Sequence, residues 1–317
     1  MRIWTDARLH SEAQAIVRSY GELILGGDMA LLPGAAAAIV SSLARVDGAF
    51  MDMAGPQLWA IARPGIGYDN IDVAAATQRG ILVMNTPDAP TESTAEHAVA
   101  LLLALAKRVT VGQERLRTGF FSIEGGPGME LRGRTIGLIG FGRIGRRVAQ
   151  ICSAGLLMRV LAYDPFTDWS HTGEGVTPVH TLEALLGEAD IVSLHTALTP
   201  QTRQLIGARE LALMRPGAVL INVSRGPVID EAALLTALRN GHIGGAGLDV
   251  YDPEPPDGEN PLLFLPNVVV TPHIATYTDA AQLNMGRGAA EQVGRVLHGE
   301  RPPSLVNPEA WPGRTGS

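Results

Sequence analysis

The segment that most limits the fold of this chain is a glycine-rich loop, Gly140–Gly145, with the pattern G-x-G-x-x-G. It follows a run of β-branched and aliphatic residues that starts at Thr135, and the helical pattern Ile144–Ser153 continues from it. The first glycine permits a tight turn, Gly142 lets backbone N–H groups approach a pyrophosphate, and Gly145 lets the helix pack closely on the strand. A helix N-terminus also favours an anion. The pattern therefore predicts a dinucleotide-binding βαβ unit.

Short apolar runs alternate with amphipathic stretches throughout the second half of the chain. Strands that alternate with helices favour a doubly wound parallel sheet of the Rossmann type, covered on both faces. Six strands are predicted, at Thr135–Gly140, Arg159–Asp164, Asp190–His195, Ala218–Val223, Gly245–Asp249 and Val268–Thr271. Helices are predicted between them at Ile144–Ser153, Leu182–Glu188, Ala208–Met214 and Glu231–Asn240.

The first 90 residues show a looser version of this alternation, which predicts a second, smaller α/β domain. Its strands are predicted at Arg2–Thr5, Glu22–Leu25, Gly48–Met51, Trp59–Ala62 and Ile81–Met84. Thr91–Arg117 then reads as one long helix, because Thr91 can cap it and Glu92 suits its first turn. A further helix is predicted at Thr278–His298.

The residue that ends the second predicted strand bears on the choice of dinucleotide. Asp164 lies nineteen residues beyond Gly145, where a carboxylate that binds a ribose is expected. A plain Asp-Pro turn is the alternative interpretation, and the nearby glycine loop makes it the weaker one. Neither Arg nor Lys follows Asp164 before Trp169, so a 2′-phosphate would meet an uncompensated carboxylate. We therefore expect NAD rather than NADP.

Composition narrows the possible partners and location. A chain of 317 residues suggests two domains, at roughly 100–200 residues per domain. The net charge of −7 does not suit binding to nucleic acid or to an anionic membrane. The only cysteine, Cys152, fits an apolar helix pattern and is expected to be a buried core thiol in a reducing compartment. The N-terminus lacks a signal-peptide pattern, so a cytoplasmic protein that does not enter a membrane is predicted.

Four ionisable residues end or follow predicted strands of the second half, where the carboxyl ends of parallel strands meet. They are Arg225, Asp249, Glu254 and His273. Arginine can hold a carboxylate bidentately, histidine can give or take the proton of a hydroxyl/carbonyl pair, and a carboxylate can orient the histidine. Three of these residues have a plain alternative interpretation: Arg225 could cap a strand end, Glu254 could be a solvated loop charge, and His273 could be a satisfied buried imidazole. Together, beside a dinucleotide loop, they favour an acid–base site.

These motifs resemble those of the D-isomer-specific 2-hydroxyacid dehydrogenases, which include phosphoglycerate dehydrogenases and glyoxylate/hydroxypyruvate reductases. The resemblance runs from about Ile61 to Trp311, and residues 1–50 match only in general pattern. Besides the NAD loop, it is carried by the sequence stretches Gly65–Asp72, Asn222–Asp230, Gly247–Pro256 and Thr271-Pro272-His273.

The resemblance implies that Arg225 binds the substrate carboxylate and carbonyl, and that Glu254 and His273 transfer the proton. Asp249 would hold the nicotinamide carboxamide. The remaining cofactor contacts it implies are Gly140, Gly142, Arg143, Ile144, Gly145, Asp164, His195, Thr196, Pro200, Val223, Ser224, Thr86 and Thr91. The predicted substrate contacts are Arg63, Gly65, Ile66 and Gly67, and no metal is predicted. An alternative for His195 is that it only shapes the adenosine side of the cleft and makes no direct contact. The loop at Arg63 could instead be a capped strand-to-helix turn.

The resemblance also implies a flavodoxin-like substrate domain, residues 1–97 with 276–317, into which an NAD domain, residues 98–275, is inserted. A homodimer paired through the Thr91–Arg117 helix is expected, with a small anionic 2-hydroxy or 2-oxo acid as substrate. D-3-phosphoglycerate and glyoxylate or hydroxypyruvate are the candidate substrates. Three alternative functions stay open: a formate dehydrogenase, an NAD-sensing corepressor and a non-catalytic NAD-binding protein. Glu254 disfavours the first, because formate dehydrogenase resembles this pattern with a glutamine at that position.

Overall fold

The computed structural model describes residues 1–122, 125–171 and 175–311. The chain divides into two compact units, one made of Met1–Pro90 and the chain from Thr276 on, the other of Thr91–Ala275. This boundary falls where a long helix begins, so residues 91–97, which the sequence assigned to the first domain, group with the second unit. The last six residues of the predicted substrate domain, 312–317, lie outside the described residues.

The first unit is built on a five-stranded sheet. Its strands are β1 (Arg2–Thr5), β2 (Glu22–Ile24), β3 (Ala37–Ile39), β4 (Ala60–Arg63) and β5 (Leu82–Asn85). They are ordered β2-β1-β3-β4-β5, and every pair is parallel. This is the flavodoxin-like order, in which the polar residues that follow the strands gather at one edge.

Helices of the first unit cover this sheet, and one of them corrects a sequence prediction. They are α1 (Ser11–Tyr20), α2 (Gly48–Ala54), α3 (Val73–Gln78) and α10 (Asp279–Leu297). The strand predicted at Gly48–Met51 is wrong, because Asp47 caps a helix there and accepts a hydrogen bond from the Phe50 N–H. The alanine-rich β3 takes the strand position instead and lies fully buried between β1 and β4.

The second unit is built on a seven-stranded sheet. Its strands are β6 (Thr135–Ile139), β7 (Arg159–Tyr163), β8 (Val176–Pro178), β9 (Ile191–Leu194), β10 (Ala218–Asn222), β11 (Ile243–Leu248) and β12 (Val268–Val270). They are ordered β12-β11-β10-β9-β6-β7-β8, and every pair is parallel. The strand order reverses between β6 and β9, the position at which open α/β sheets bind ligands. The six predicted strands are present, and β8 was missed.

Helices of the second unit are α4 (Thr91–Ala106), α5 (Val109–Arg117), α6 (Arg143–Gln150), α7 (Leu182–Glu188), α8 (Ala208–Leu213) and α9 (Glu231–Arg239). The prediction of one continuous helix over Thr91–Arg117 is wrong. Arg108 adopts a left-handed conformation with φ of 55°, which ends the α-helical geometry and turns the chain into α5. α6 continues into a π-helical turn, Ile151–Gly155, at its C-terminal end.

Each sheet has a hydrophobic cluster on both faces, as the continuous apolar runs predicted. The doubly wound Rossmann sheet and the smaller flavodoxin-like unit are therefore confirmed. Cys152 lies in the core, and burial raises the pKa of its thiol to about 12, so it is a packing residue. Within the described part of the chain, none of the helices combines the length and apolar character needed to cross a bilayer.

Candidate active site

The glycine loop joins the end of β6 to the start of α6. Gly140 has φ of +91°, and a Cβ there would come within 2.7 Å of the His195 carbonyl group. A Cβ at Gly145 would overlap the Gly140 carbonyl oxygen, whereas an ideal Cβ at Gly142 would have no described atom within 4 Å other than those of its chain neighbours. Two of the glycines are thus required by the packing of the protein, and Gly142 leaves open space before the N-terminus of α6. That space is where the backbone N–H groups of a helix start can hold a phosphate.

Buried polar atoms beside this loop test whether the site fits a dinucleotide. Thr91 Oγ1, His195 Nδ1 and Thr196 Oγ1 are buried, and none has a hydrogen-bond partner within the described chain. Such atoms are rare in native proteins because each costs desolvation free energy. All three belong to residues predicted to contact the cofactor, and a bound dinucleotide would give them partners. The residues present therefore fit the predicted NAD.

His195 is held as a neutral imidazole. Burial lowers its pKa to about 4, so the ring carries no charge at neutral pH. Its Nε2 lies 3.0 Å from Ser193 Oγ, and its backbone N–H donates to the Ile139 carbonyl. The loop that follows carries Thr196 and the exposed Pro200.

Asp164 lies at the end of β7 and is connected directly to the glycine loop. Its Oδ2 accepts from the Phe141 N–H at 2.8 Å, and its Oδ1 accepts from the Phe166 N–H at 2.9 Å. A carboxylate oxygen has more than one lone pair, so these bonds leave acceptor capacity for a ribose hydroxyl. The side chain is half-buried at the strand end where the sequence predicted it.

Arg225 follows β10 on a turn built by a buried asparagine. Asn222 Oδ1 accepts from both the N–H and the hydroxyl of Ser224, and Asn222 Nδ2 donates to the Arg225 carbonyl at 2.9 Å. The Arg225 guanidinium donates through Nη1 to the Ser224 carbonyl. A Cβ at Gly226 would overlap the Tyr251 carbonyl, so the arginine turn packs against the loop after β11. No role was predicted for Asn222 from the sequence, although it is the polar residue at a buried strand end.

The two residues predicted to form an acid–base pair are in contact. His273 Nδ1 and Glu254 Oε1 are hydrogen-bonded directly, and both side chains are about one-quarter exposed, at 27% and 24%. Because Glu254 occupies Nδ1, the other ring nitrogen, Nε2, is the one that can exchange a proton with a ligand. Glu231 supports the loop that carries Glu254 by accepting from the Asp252 N–H at 2.8 Å and from Asn260 Nδ2 at 2.9 Å.

Asp249, at the end of β11, is fully buried and has partners within its own unit. Thr271 Oγ1 donates to its Oδ1 at 2.6 Å, and the N–H groups of Ile274 and Ala275 donate to its two oxygens at 2.9 Å. Burial is the largest influence and raises the pKa of Asp249, but these bonds and one from His97 together hold the pKa below its ordinary value. The carboxylate is therefore ionised at neutral pH. Its predicted contact with the nicotinamide carboxamide stays a prediction.

The loop predicted to bind substrate lies after β4 in the first unit. The Gly65 N–H donates to Thr86 Oγ1 at 2.7 Å, and Asn85 Nδ2 donates to the Ile66 carbonyl at 2.8 Å, so the end of β5 shapes this loop. Arg63 Nη1 donates to the Pro64 carbonyl, and its guanidinium lies beside Gly65, where a Cβ would be 2.8 Å from Nη1. Arg63 thus folds over its own loop. The substrate contacts of this loop, which also includes Gly67, stay predictions.

Comparison with known proteins identifies the family. The model of the D-isomer-specific 2-hydroxyacid dehydrogenase NAD-binding domain matches residues 99–275, more than half of the chain. The chain belongs to the D-isomer-specific 2-hydroxyacid dehydrogenase family. Its second unit is the NAD-binding domain of that family, which confirms both the resemblance read from the sequence and the predicted cofactor.

Relatives of this family member differ in length and in name. A glyoxylate reductase of Korarchaeum cryptofilum is 43% identical over 276 residues, which cover 86% of this chain and 83% of that protein. A D-3-phosphoglycerate dehydrogenase of Archaeoglobus fulgidus is 42% identical over 276 residues, 87% of this chain but only 52% of that protein. The chain thus spans about half the length of its phosphoglycerate dehydrogenase relatives. A crystal structure of a Thermus thermophilus protein matches with a TM-score of 0.89 and 39% identity, covering 96% of this chain and all of that one.

Proposed function

We propose that this family member is an NAD-dependent dehydrogenase that interconverts a D-2-hydroxy acid and its 2-oxo acid. The observation that carries the proposal is the His273–Glu254 pair, which lies at the same edge of one sheet as Arg225 and the glycine loop. An acid–base pair, a carboxylate-binding cation and a dinucleotide loop are the groups that this reaction requires. The chemistry that a bound NAD supplies is hydride transfer to or from C2 of the acid.

The residues of the chain would share the remaining work. Arg225 binds the substrate carboxylate and polarises the C2 carbonyl, because its planar guanidinium can form two parallel hydrogen bonds at once. In reduction, His273 donates a proton from Nε2 to the carbonyl oxygen, while Glu254 orients the ring through Nδ1 and stabilises its charged form. In oxidation, the neutral ring accepts the hydroxyl proton at Nε2, so the two directions require opposite protonation states of His273.

A screen of 2-oxo acids tests the function directly. We expect NADH oxidation with at least one of phosphohydroxypyruvate, hydroxypyruvate, glyoxylate and pyruvate, at a kcat/KM of about 10⁴ M⁻¹ s⁻¹ or more. Failure with phosphohydroxypyruvate alone would remove the phosphoglycerate dehydrogenase identity and favour a glyoxylate or hydroxypyruvate reductase. Tight NADH binding without turnover of any acid would contradict the proposal and favour an NAD-sensing or non-catalytic protein.

The choice of NAD over NADP is proposed to depend on Asp164. We expect Asp164→Ala to raise KM for NADH about tenfold and to lower the NADH/NADPH preference by a similar factor, because a charge-assisted hydrogen bond to ribose is lost. Asp168→Ala is the matched control, since Asp168 caps its own turn through the Ser170 N–H in the same loop. An unchanged cofactor preference in the Asp164 variant would contradict this assignment.

We also propose a cytoplasmic homodimer that pairs through α4 and α5. Apolar side chains are exposed on and just after α5, namely Val109, Leu116, Phe120 and Phe121 at 54%, 62%, 52% and 98%. Clustered exposed apolar groups of this kind mark protein–protein interfaces. The single cysteine is buried, in keeping with a reducing compartment.

A further inference from the structure

A histidine that the proposed reaction does not use lies under the segment that carries His273. His97, on α4, places its Nε2 3.0 Å from Thr271 Oγ1 and 3.4 Å from Asp249 Oδ1. Its side chain is 17% exposed, and the Asp249 side chain beside it is fully buried. His97 and Thr271 are 174 residues apart in the chain.

The direction of the hydrogen bonds in this cluster follows from the hydroxyl of Thr271. A threonine hydroxyl has one proton, and the short distance of 2.6 Å to Asp249 Oδ1 assigns that proton to the carboxylate. Thr271 Oγ1 must then accept from His97, so His97 carries a proton on Nε2. The result is a chain of donors from His97 through Thr271 to Asp249.

Asp249 in turn holds the backbone on both sides of the His273 side chain. Its carboxylate accepts from the N–H groups of Ile274 and Ala275, and its carbonyl accepts from the His273 N–H at 2.8 Å. His273 has φ of 53°, a left-handed conformation that a non-glycine residue keeps only where its surroundings impose it. The His273 N–H also donates to the Thr271 carbonyl at 3.1 Å, so hydrogen bonds to Asp249 and Thr271 together surround this residue.

We propose that His97 is a positioning residue for His273, and the inference rests on the proposed function. Its Nε2–H holds the Thr271 hydroxyl and the Asp249 carboxylate in place, and these hold the strained backbone that directs the His273 ring. An acid–base group displaced by about 1 Å can lose about a hundredfold in rate, so support at this distance from the reacting atoms can still affect turnover. His97 itself touches neither the acid nor the nicotinamide in this proposal.

Two variants separate a hydrogen-bonding role from simple packing. His97→Phe keeps a planar ring but loses the donor, whereas His97→Gln keeps an N–H donor at a similar distance from the backbone. His180→Gln, at an exposed histidine of the same unit, is the control. We expect His97→Phe to lower kcat about tenfold and His97→Gln to recover most of the loss.

Hydrogen exchange provides a readout that does not depend on the reaction. In His97→Phe, the Ile274 and Ala275 amides should exchange about tenfold faster, while the Val192 amide in β9 keeps its protection. Wild-type kcat and wild-type amide exchange in both His97 variants would overturn the proposal. An equal loss of kcat in both variants, together with faster exchange at Val192, would also overturn it, because that result would mean a packing role. If the wild type reduced no 2-oxo acid, the proposed function would fail, and the exchange rates alone would still decide whether His97 positions this segment.

Discussion

His273→Ala is expected to lower kcat by about 10²–10⁴-fold while the Kd for NADH stays within about twofold of the wild-type value. The substitution removes the only group proposed to exchange a proton with the substrate oxygen, but it leaves the glycine loop and Asp164 untouched. Steady-state kinetics with the best oxo acid from the screen, together with NADH titration, measure the two quantities separately.

The control for this variant is His180→Ala, because His180 is an exposed histidine on the same unit. The free energy of unfolding of His273→Ala should change little, since its side chain is one-quarter exposed and its only side-chain partner, in the described chain, is Glu254. Turnover within about threefold of the wild-type value would exclude His273 as the acid–base group. Loss of NADH binding together with turnover would instead place His273 in the cofactor site.

Arg225→Lys is expected to lower kcat/KM for the oxo acid by about a hundredfold or more, although the charge is conserved. A lysine ammonium cannot form the bidentate fork on a carboxylate and cannot reach the carbonyl oxygen at the same time. The loss should appear in both KM and kcat, because the same guanidinium binds the ground state and stabilises charge that develops on the carbonyl oxygen. Kinetics at saturating NADH give both parameters.

The control for Arg225→Lys is Arg209→Lys. The Arg209 side chain is exposed and forms ion pairs with Glu183 and Glu210, and ion pairs of such exposed cations contribute little to stability. A stronger test uses Arg225→Ala with added guanidinium ion, which should recover part of the lost kcat if the side chain acts through its guanidinium. An Arg225→Lys enzyme with wild-type KM and kcat would show that the arginine only closes its turn through the Ser224 carbonyl.

Local sequence patterns predict some helices and strands of this fold correctly and fail at others. The β-branched runs after residue 134 predict their strands to within one or two residues, because parallel strands covered on both faces have continuous apolar sequences. The strand predicted at Gly48–Met51 is wrong, because the Asp47 side chain caps a helix that begins there. The local patterns also missed β3, since alanine favours helix locally and forms a strand here only because β1 and β4 pair with it.

Some of the candidate functional residues can likewise be predicted from local sequence, and others cannot. Arg225, Glu254 and His273 could be proposed from the sequence because each follows a strand that the sequence marks, and the topology brings the ends of β10, β11 and β12 to one edge. His97 gave no such signal. It lies in the middle of a helix whose apolar pattern predicts only core packing, and its partner Thr271 is 174 residues away in the chain.

The sequence by itself therefore determined the class of the fold, the dinucleotide loop and the candidate acid–base pair, because strand ends and glycine spacing are local properties. Only the tertiary structure decided which hydrogen bonds orient the acid–base pair: Glu254 on Nδ1 of His273, and Asp249 beneath the His273 backbone. The physical reason is that a hydrogen bond depends on distance and angle between atoms that are far apart in the chain, and no local pattern encodes such distances.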